Sequence, residues 1–181
     1  LKQMLANNAN KYKGGAGKTV RCKDGRNVIR IIELTPENMP SWVKEHYQFH
    51  RDLGVHWIKA NANAKPVAVV GSTEICYDTV SPLSAAVEMA VANAYDPETK
   101  ELFESWRATK SVIFNAVSRE TGTVEVFEVP RGVWGKIYDL AMLYAEQSDF
   151  NIFDNTTGMY RVITKYGKGL NTKYDVAVMP I

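Results

Sequence analysis

The sequence holds only two cysteines, Cys22 and Cys76, in 181 residues. Two are too few for a disulfide framework, and without a CxxC pair they make no zinc module, so both read as reduced structural thiols. No apolar run approaches the roughly 18 residues of a membrane helix, and the opening LKQMLANNAN lacks the apolar centre of a signal peptide. The chain therefore reads as soluble, intracellular and without a membrane partner. It begins at Leu1 rather than Met, which reads as a chain trimmed of its tails. Acids are scarce at both ends. Leu1 to Arg30 has Asp24 alone against eight bases (Lys2, Lys11, Lys13, Lys18, Arg21, Lys23, Arg26 and Arg30), and no acid stands between Asp154 and Asp175.

What is present is an ordinary globular balance, 45% hydrophobic and 23% charged, at the size of one domain. The net charge of +2 is small, but it is unevenly spread. Glu88, Asp96, Glu98, Glu101 and Glu104 gather the acids mid-chain, which predicts one basic face and one acidic face.

Residues 1–26, rich in Asn, Lys and Gly, read as a basic arm, and residues 27–181 as the core domain. NVIRIIEL, from Asn27 to Leu34, is a β-branched run closed by Thr35-Pro36, a strand signal. SWVKEHYQFHRDL and Val55 to Lys59 read as two strands around Gly54, with a helix as the alternative for the first, and KPVAVVG as a short strand. Ser81-Pro82 starts an alanine-rich helix that Asp96-Pro97 interrupts before a second, so about 81–105 reads as a helical insertion. TKSVIFNAVSR and TVEVFEVP form a hairpin across Glu120-Thr121-Gly122, with glycine placed for a positive φ. GVWGKIYDLAMLYAEQ follows, with Val133, Ile137, Leu140, Ala141 and Tyr144 forming a helical stripe. FNIFDN, GMYRVITKYGKG and KYDVAVMPI supply two or three closing strands. Short hairpin-paired strands with one helical crossover predict a mainly β fold with α insertions, an OB-fold five-stranded barrel carrying the helical insertion.

Several constellations fail on spacing. Gly14-Gly15-Ala16-Gly17-Lys18-Thr19 ends like a phosphate-binding loop, but Tyr12 stands where its first glycine belongs and no hydrophobic strand precedes it. His46, His50, His56 and Cys76 are not spaced as a zinc finger or ribbon, so no metal is expected. No nucleophile motif places a Ser, His and Asp together, so neither a catalytic residue nor a cofactor is expected. The positive signal is aromatic residues interleaved with bases: Trp57-Ile58-Lys59, Trp106-Arg107-Ala108-Thr109-Lys110, and Tyr166 through Lys168 and Lys173 to Tyr174. A single strand needs such pairing, because bases stack on rings while cations follow phosphates. Candidate contacts are Tyr47, Trp57, Lys59, Tyr77, Trp106, Arg107, Lys110, Arg119, Arg131, Tyr160, Tyr166, Lys168, Lys173 and Tyr174. Phe114, Phe127 and Trp134 are expected in the core, whereas Tyr166 and Tyr174, flanked by Lys and Gly, are expected to be exposed. A nucleotide-hydrolysing or nucleic-acid-processing enzyme using GGAGKT, and an interaction module without nucleic acid, remain the alternatives.

The order SVIFNAVSR, then Glu120 to Phe127, then GVWGKIYDL, then DNTTGMYRVITKYGKGLNTKYD resembles the single-stranded-DNA-binding proteins of T-even-type bacteriophages over about residues 105 to 175, with NVIRIIEL similar to that family's first barrel strand. The resemblance implies an OB-fold that binds single-stranded DNA without sequence preference during phage replication, recombination and repair in the host cytoplasm. It places Tyr174 on a family aromatic that stacks on DNA, and Trp106 to Lys110 on a basic strand entry. It also implies cooperative self-association on DNA, and recruitment of phage replication proteins by an acidic tail lying outside this chain. The family's zinc ribbon of one His and three Cys is reduced here to Cys76 between Gly71 and Leu83, so no structural zinc is expected.

Overall fold

A computed structural model of the chain describes residues 19–33, 49–71 and 81–180. Along these residues run β1 (Val20–Arg21), β2 (Gly25–Ile31), β3 (His50–Ile58), β4 (Val67–Gly71), α1 (Pro82–Ala92), α2 (Pro97–Glu104), β5 (Thr109–Ser118), β6 (Val124–Pro130), α3 (Arg131–Ser148), β7 (Tyr160–Tyr166) and β8 (Lys173–Met179). The fold is mainly β with α insertions, as the sequence predicts. β1 and the start of β2 fall within the stretch read as the arm, so the sheet begins by Val20.

β5 organises the sheet. Of its ten residues, Ser111 to Val117 pair with β6 along one edge, while the other edge is shared by β3 at Thr109 to Phe114 and β2 at Ala116 to Ser118. β7 joins β2, β8 joins β7, β4 joins β3, and the two residues of β1 run parallel to β6. The closed five-stranded barrel is a correction to the expectation: among the described residues β1 and β8 are the free ends of the strand path and do not pair. A two-residue β1 is too short an edge to zip onto β8, and α3 packs against β8, β5 and β6 instead.

Period-two alternation puts Ile29, Ile31, Val112, Phe114, Ala116, Phe127, Val129 and Ile163 on one face. α3 closes that face with Val133, Trp134 and Ile137 buried and Leu140, Ala141 and Tyr144 packed at its margin, the stripe predicted plus Trp134. Each fully buried Ile or Val contributes about 1.5–3 kcal/mol by leaving water. The Trp134 ring lies 4.9 Å from Phe114 and 4.7 Å from His50, so it keys the helix to β5 and β3 together.

Two local expectations change. Gly54 does not divide two strands, since His50–Ile58 is one strand whose register runs through it; residues 41–48 lie outside the described residues. FNIFDN is an irregular turn that buries Ile152 and Phe153. Arg161 holds that turn. Its fully buried guanidinium donates to the carbonyls of Ile152 (2.8 Å) and Met159 and lies 4.8 Å from the Phe153 ring centroid, and desolvation lowers its pKa to about 10. Asp96-Pro97 separates the two helices as the sequence predicts and also caps the second, the Asp96 carboxylate accepting from the Thr99 N–H at 2.8 Å with proline at the first helical position. The insertion is anchored to β3 by buried His56, whose Nδ1 donates to the Trp106 carbonyl at 2.7 Å while Nε2 accepts from the Ser84 hydroxyl at 3.2 Å.

Candidate nucleic-acid interface

The gap between the sheet's free ends is a groove. Its walls are the tip of the β7–β8 hairpin, the start of α3 and Arg21 of β1, and its lining includes Lys136, Lys165, Tyr166, Lys173 and Tyr174. The tip is fixed by Gly167 at φ 78°, where an added Cβ would collide with the Asn171 carbonyl oxygen, so only glycine fits. Tyr166 is 43% exposed and stands directly opposite Lys173, and its hydroxyl donates to Asp175 at 3.2 Å. Burial at the tip and that hydrogen bond both raise its pKa. Tyr174 is the exception to the predicted exposure. It is opposite Lys165 on the core-facing side of β8 and half-buried against the hydrophobic cluster, so it presents less ring surface than Tyr166.

The cations differ in commitment. Lys165 Nζ lies 2.7 Å from Asp24, and that hydrogen bond raises the lysine pKa and lowers the aspartate's. Arg21 pairs with Glu128 at 2.9 Å. Burial pushes the Glu128 carboxyl up, but hydrogen bonds from Arg21, Thr19 and Ser111 outweigh it and hold it below its ordinary value. Lys136 donates to the Tyr174 carbonyl, and Lys168 and Arg131 are exposed, Lys168 in the hairpin tip and Arg131 beside the lining residues Pro130 and Gly132.

From the groove the ladders lead to a second patch. Pro130 on its rim is opposite Ser111, the adjoining β5 residue Lys110 is opposite Gly54, Trp57 lies further along β3, and Lys59 follows just past its end. By that register Lys110 shares the sheet face of His56, while Trp57 stands on the opposite face with Val55 and Thr109. Trp57 is 42% exposed, a ring open for stacking. Trp106 is different, half-buried 4.7 Å from Phe103 with its indole N–H buried and unpartnered among the described residues. Arg107 makes two hydrogen bonds of 2.9 Å to Glu88, which raise its pKa and lower that of Glu88.

A family model described as gp32 DNA binding protein like matches residues 23–180. The chain belongs to the gp32-like DNA-binding family. No curated protein sequence matches it significantly. The match embraces both patches of the gp32-like domain and leaves out residues 1–22, where most of the basic N-terminal run lies.

Arg119 and Tyr160 of the gp32-like domain meet at the opposite end of β5, the guanidinium 5.4 Å from the ring centroid. Tyr47, Tyr77, His46, Cys76 and residues 14–18 lie outside the described residues. His50 packs among the Phe49, Trp134 and Tyr138 rings, and burial lowers its pKa. Among the described residues no group of His, Cys, Asp and Glu is placed to hold a metal ion, and no described helix is long and apolar enough to cross a membrane. Sequence reasoning missed Lys136, Lys165 and Arg21 as groove residues. Lys136 carried a usable signal, next to Ile137 of the buried stripe and hence at the edge of that helix face.

Proposed function

We propose that this gp32-like domain binds single-stranded DNA without sequence preference, as a binding protein rather than an enzyme and without a cofactor. The observation that supports it best is one groove that sets Tyr166 and Tyr174 beside Lys136, Lys165, Lys173 and Arg21. Bases stack on the rings whatever their identity, and the cations follow the phosphates. Trp57, with Lys59 beside it, offers a further ring for stacking, and the basic residues before Thr19 add phosphate contacts. The setting is phage DNA replication, recombination and repair in the host cytoplasm, with self-association along the strand and replication proteins recruited through a tail.

Fluorescence anisotropy of labelled oligo-dT, competed by unlabelled single strand or matched duplex, tests the reading. Single strand competes far more strongly if base faces are contacted, because a duplex hides them. Equal competition by duplex overturns it.

A further inference from the structure

A second cleft adjoins the groove, with Arg21 lining both. Its walls carry Lys23, Arg26, Arg119, Glu120 and Glu125 as well. Two of the cations are already matched, Arg21 by Glu128 and Lys23 by Glu120 at 3.0 Å. Arg26 and Arg119 are not. Arg26 Nη2 donates to the Met179 sulfur at 3.5 Å, and Arg119 Nη1 to the same sulfur at 3.8 Å. Among the described residues neither guanidinium forms an ion pair with a carboxylate, Glu125 on the cleft wall included.

The backbone dictates this convergence. Arg26 stands on β2 opposite Thr164, and the Arg119 N–H donates to the Val28 carbonyl at 2.9 Å, two residues along the same strand. Tyr160 flanks Arg119 from β7 and is opposite Met179 in the β7–β8 ladder. Two like charges drawn to one thioether repel each other, and a thioether is a weak acceptor that cancels neither charge. An anion between them removes the repulsion, and the planar guanidinium fork matches phosphate oxygens.

We propose that Arg26 and Arg119 form a second phosphate-binding station, which takes the backbone of the strand as it leaves the groove past Arg21. The station rests on the groove reading above and lengthens the bound segment without adding sequence preference.

The test is an oligo-dT length series, from about 4 to about 16 nucleotides, which spans the site sizes of one such module. Native protein and the double variant Arg26→Gln/Arg119→Gln are compared, with circular dichroism and melting temperature as controls for folding. In the native protein affinity rises with length to a plateau. The variant should match it on the shortest oligomers, reach its plateau at a shorter length, and lose about 1.4 units of salt slope on the longest, two contacts at about 0.7 each. Equal binding at every length overturns the station, as does an equal loss at every length, which places the arginines in the groove itself. Pyrophosphate alone separates the station from the groove reading. If the native protein binds no oligo-dT, the groove reading fails; a melting temperature raised by pyrophosphate in the native protein and not in the variant still supports the station, and no such rise overturns it.

Discussion

Lys136 reaches from α3 to the main-chain carbonyl of Tyr174 in β8, its Nζ 2.5 Å from the oxygen. The contact ties the helix that closes the core to the hairpin that bears the tyrosines. Tyr174 packs on the core there, whereas Tyr166 is exposed at the hairpin tip.

The two tyrosines should respond differently. Tyr166→Ala should weaken oligo-dT binding by about 1 to 3 kcal/mol, and Tyr166→Phe much less because the ring is kept. The melting temperature should hardly change, since this ring is exposed. Tyr174→Ala should lower both binding and melting temperature, because that ring also packs on the core. Titration and thermal melts of the three variants check this, and a Tyr166→Ala variant that melts early while binding normally would reverse the assignment.

Lys173 faces the same side of the hairpin as Tyr166. Lys173→Ala should weaken binding to every sequence alike and flatten the salt dependence by about 0.7 of a unit. Binding measured at several salt concentrations on oligo-dT and on a mixed sequence decides it; a loss confined to one sequence contradicts a phosphate contact.

In the proposed interface Glu88, which holds Arg107 by two hydrogen bonds, would compete with DNA for it. Exposed ion pairs hold their partners weakly, so Arg107 can swing to a phosphate. Glu88→Gln should tighten oligo-dT binding and steepen its salt dependence, whereas unchanged binding would remove Arg107 from the interface.

Glu128 gives the fold an acid-sensitive joint. Its folded pKa lies below the ordinary carboxylate value, so its stabilisation is complete above that ordinary value and is lost as pH falls through the folded one. Glu128→Gln should cost about 1 to 3 kcal/mol at neutral pH, where charge-assisted hydrogen bonds from Arg21, Thr19 and Ser111 are lost. The difference from native protein should shrink on acidification. Urea unfolding at neutral and acid pH measures it, and an equal loss at both would show that the charge is not what matters.

Much of this was legible in the residues, and the failures share a cause. The alternation in TKSVIFNAVSR and the three-and-four spacing of GVWGKIYDLAMLY locate β5 and α3 because burial imposes those periods. Gly122 takes φ 69° in the hairpin as its position requires. Sheet closure depends on which edges meet in space, which no local period records. Tyr174 shows the same limit: its face depends on the β7–β8 register, and a slip of one residue would turn it outward. Lys165 and Arg21 enter the groove only because β7 and the short β1 arrive there from distant parts of the chain.

Ultraviolet cross-linking of the native protein to oligo-dT, with the attached peptides identified by mass spectrometry, tests the central claim most directly. The groove account predicts cross-links in the peptides that carry Tyr166 and Tyr174, lost when matched duplex replaces the single strand. Cross-links confined to the exposed surfaces of α1 and α2, with the tyrosine peptides unmodified, would contradict it.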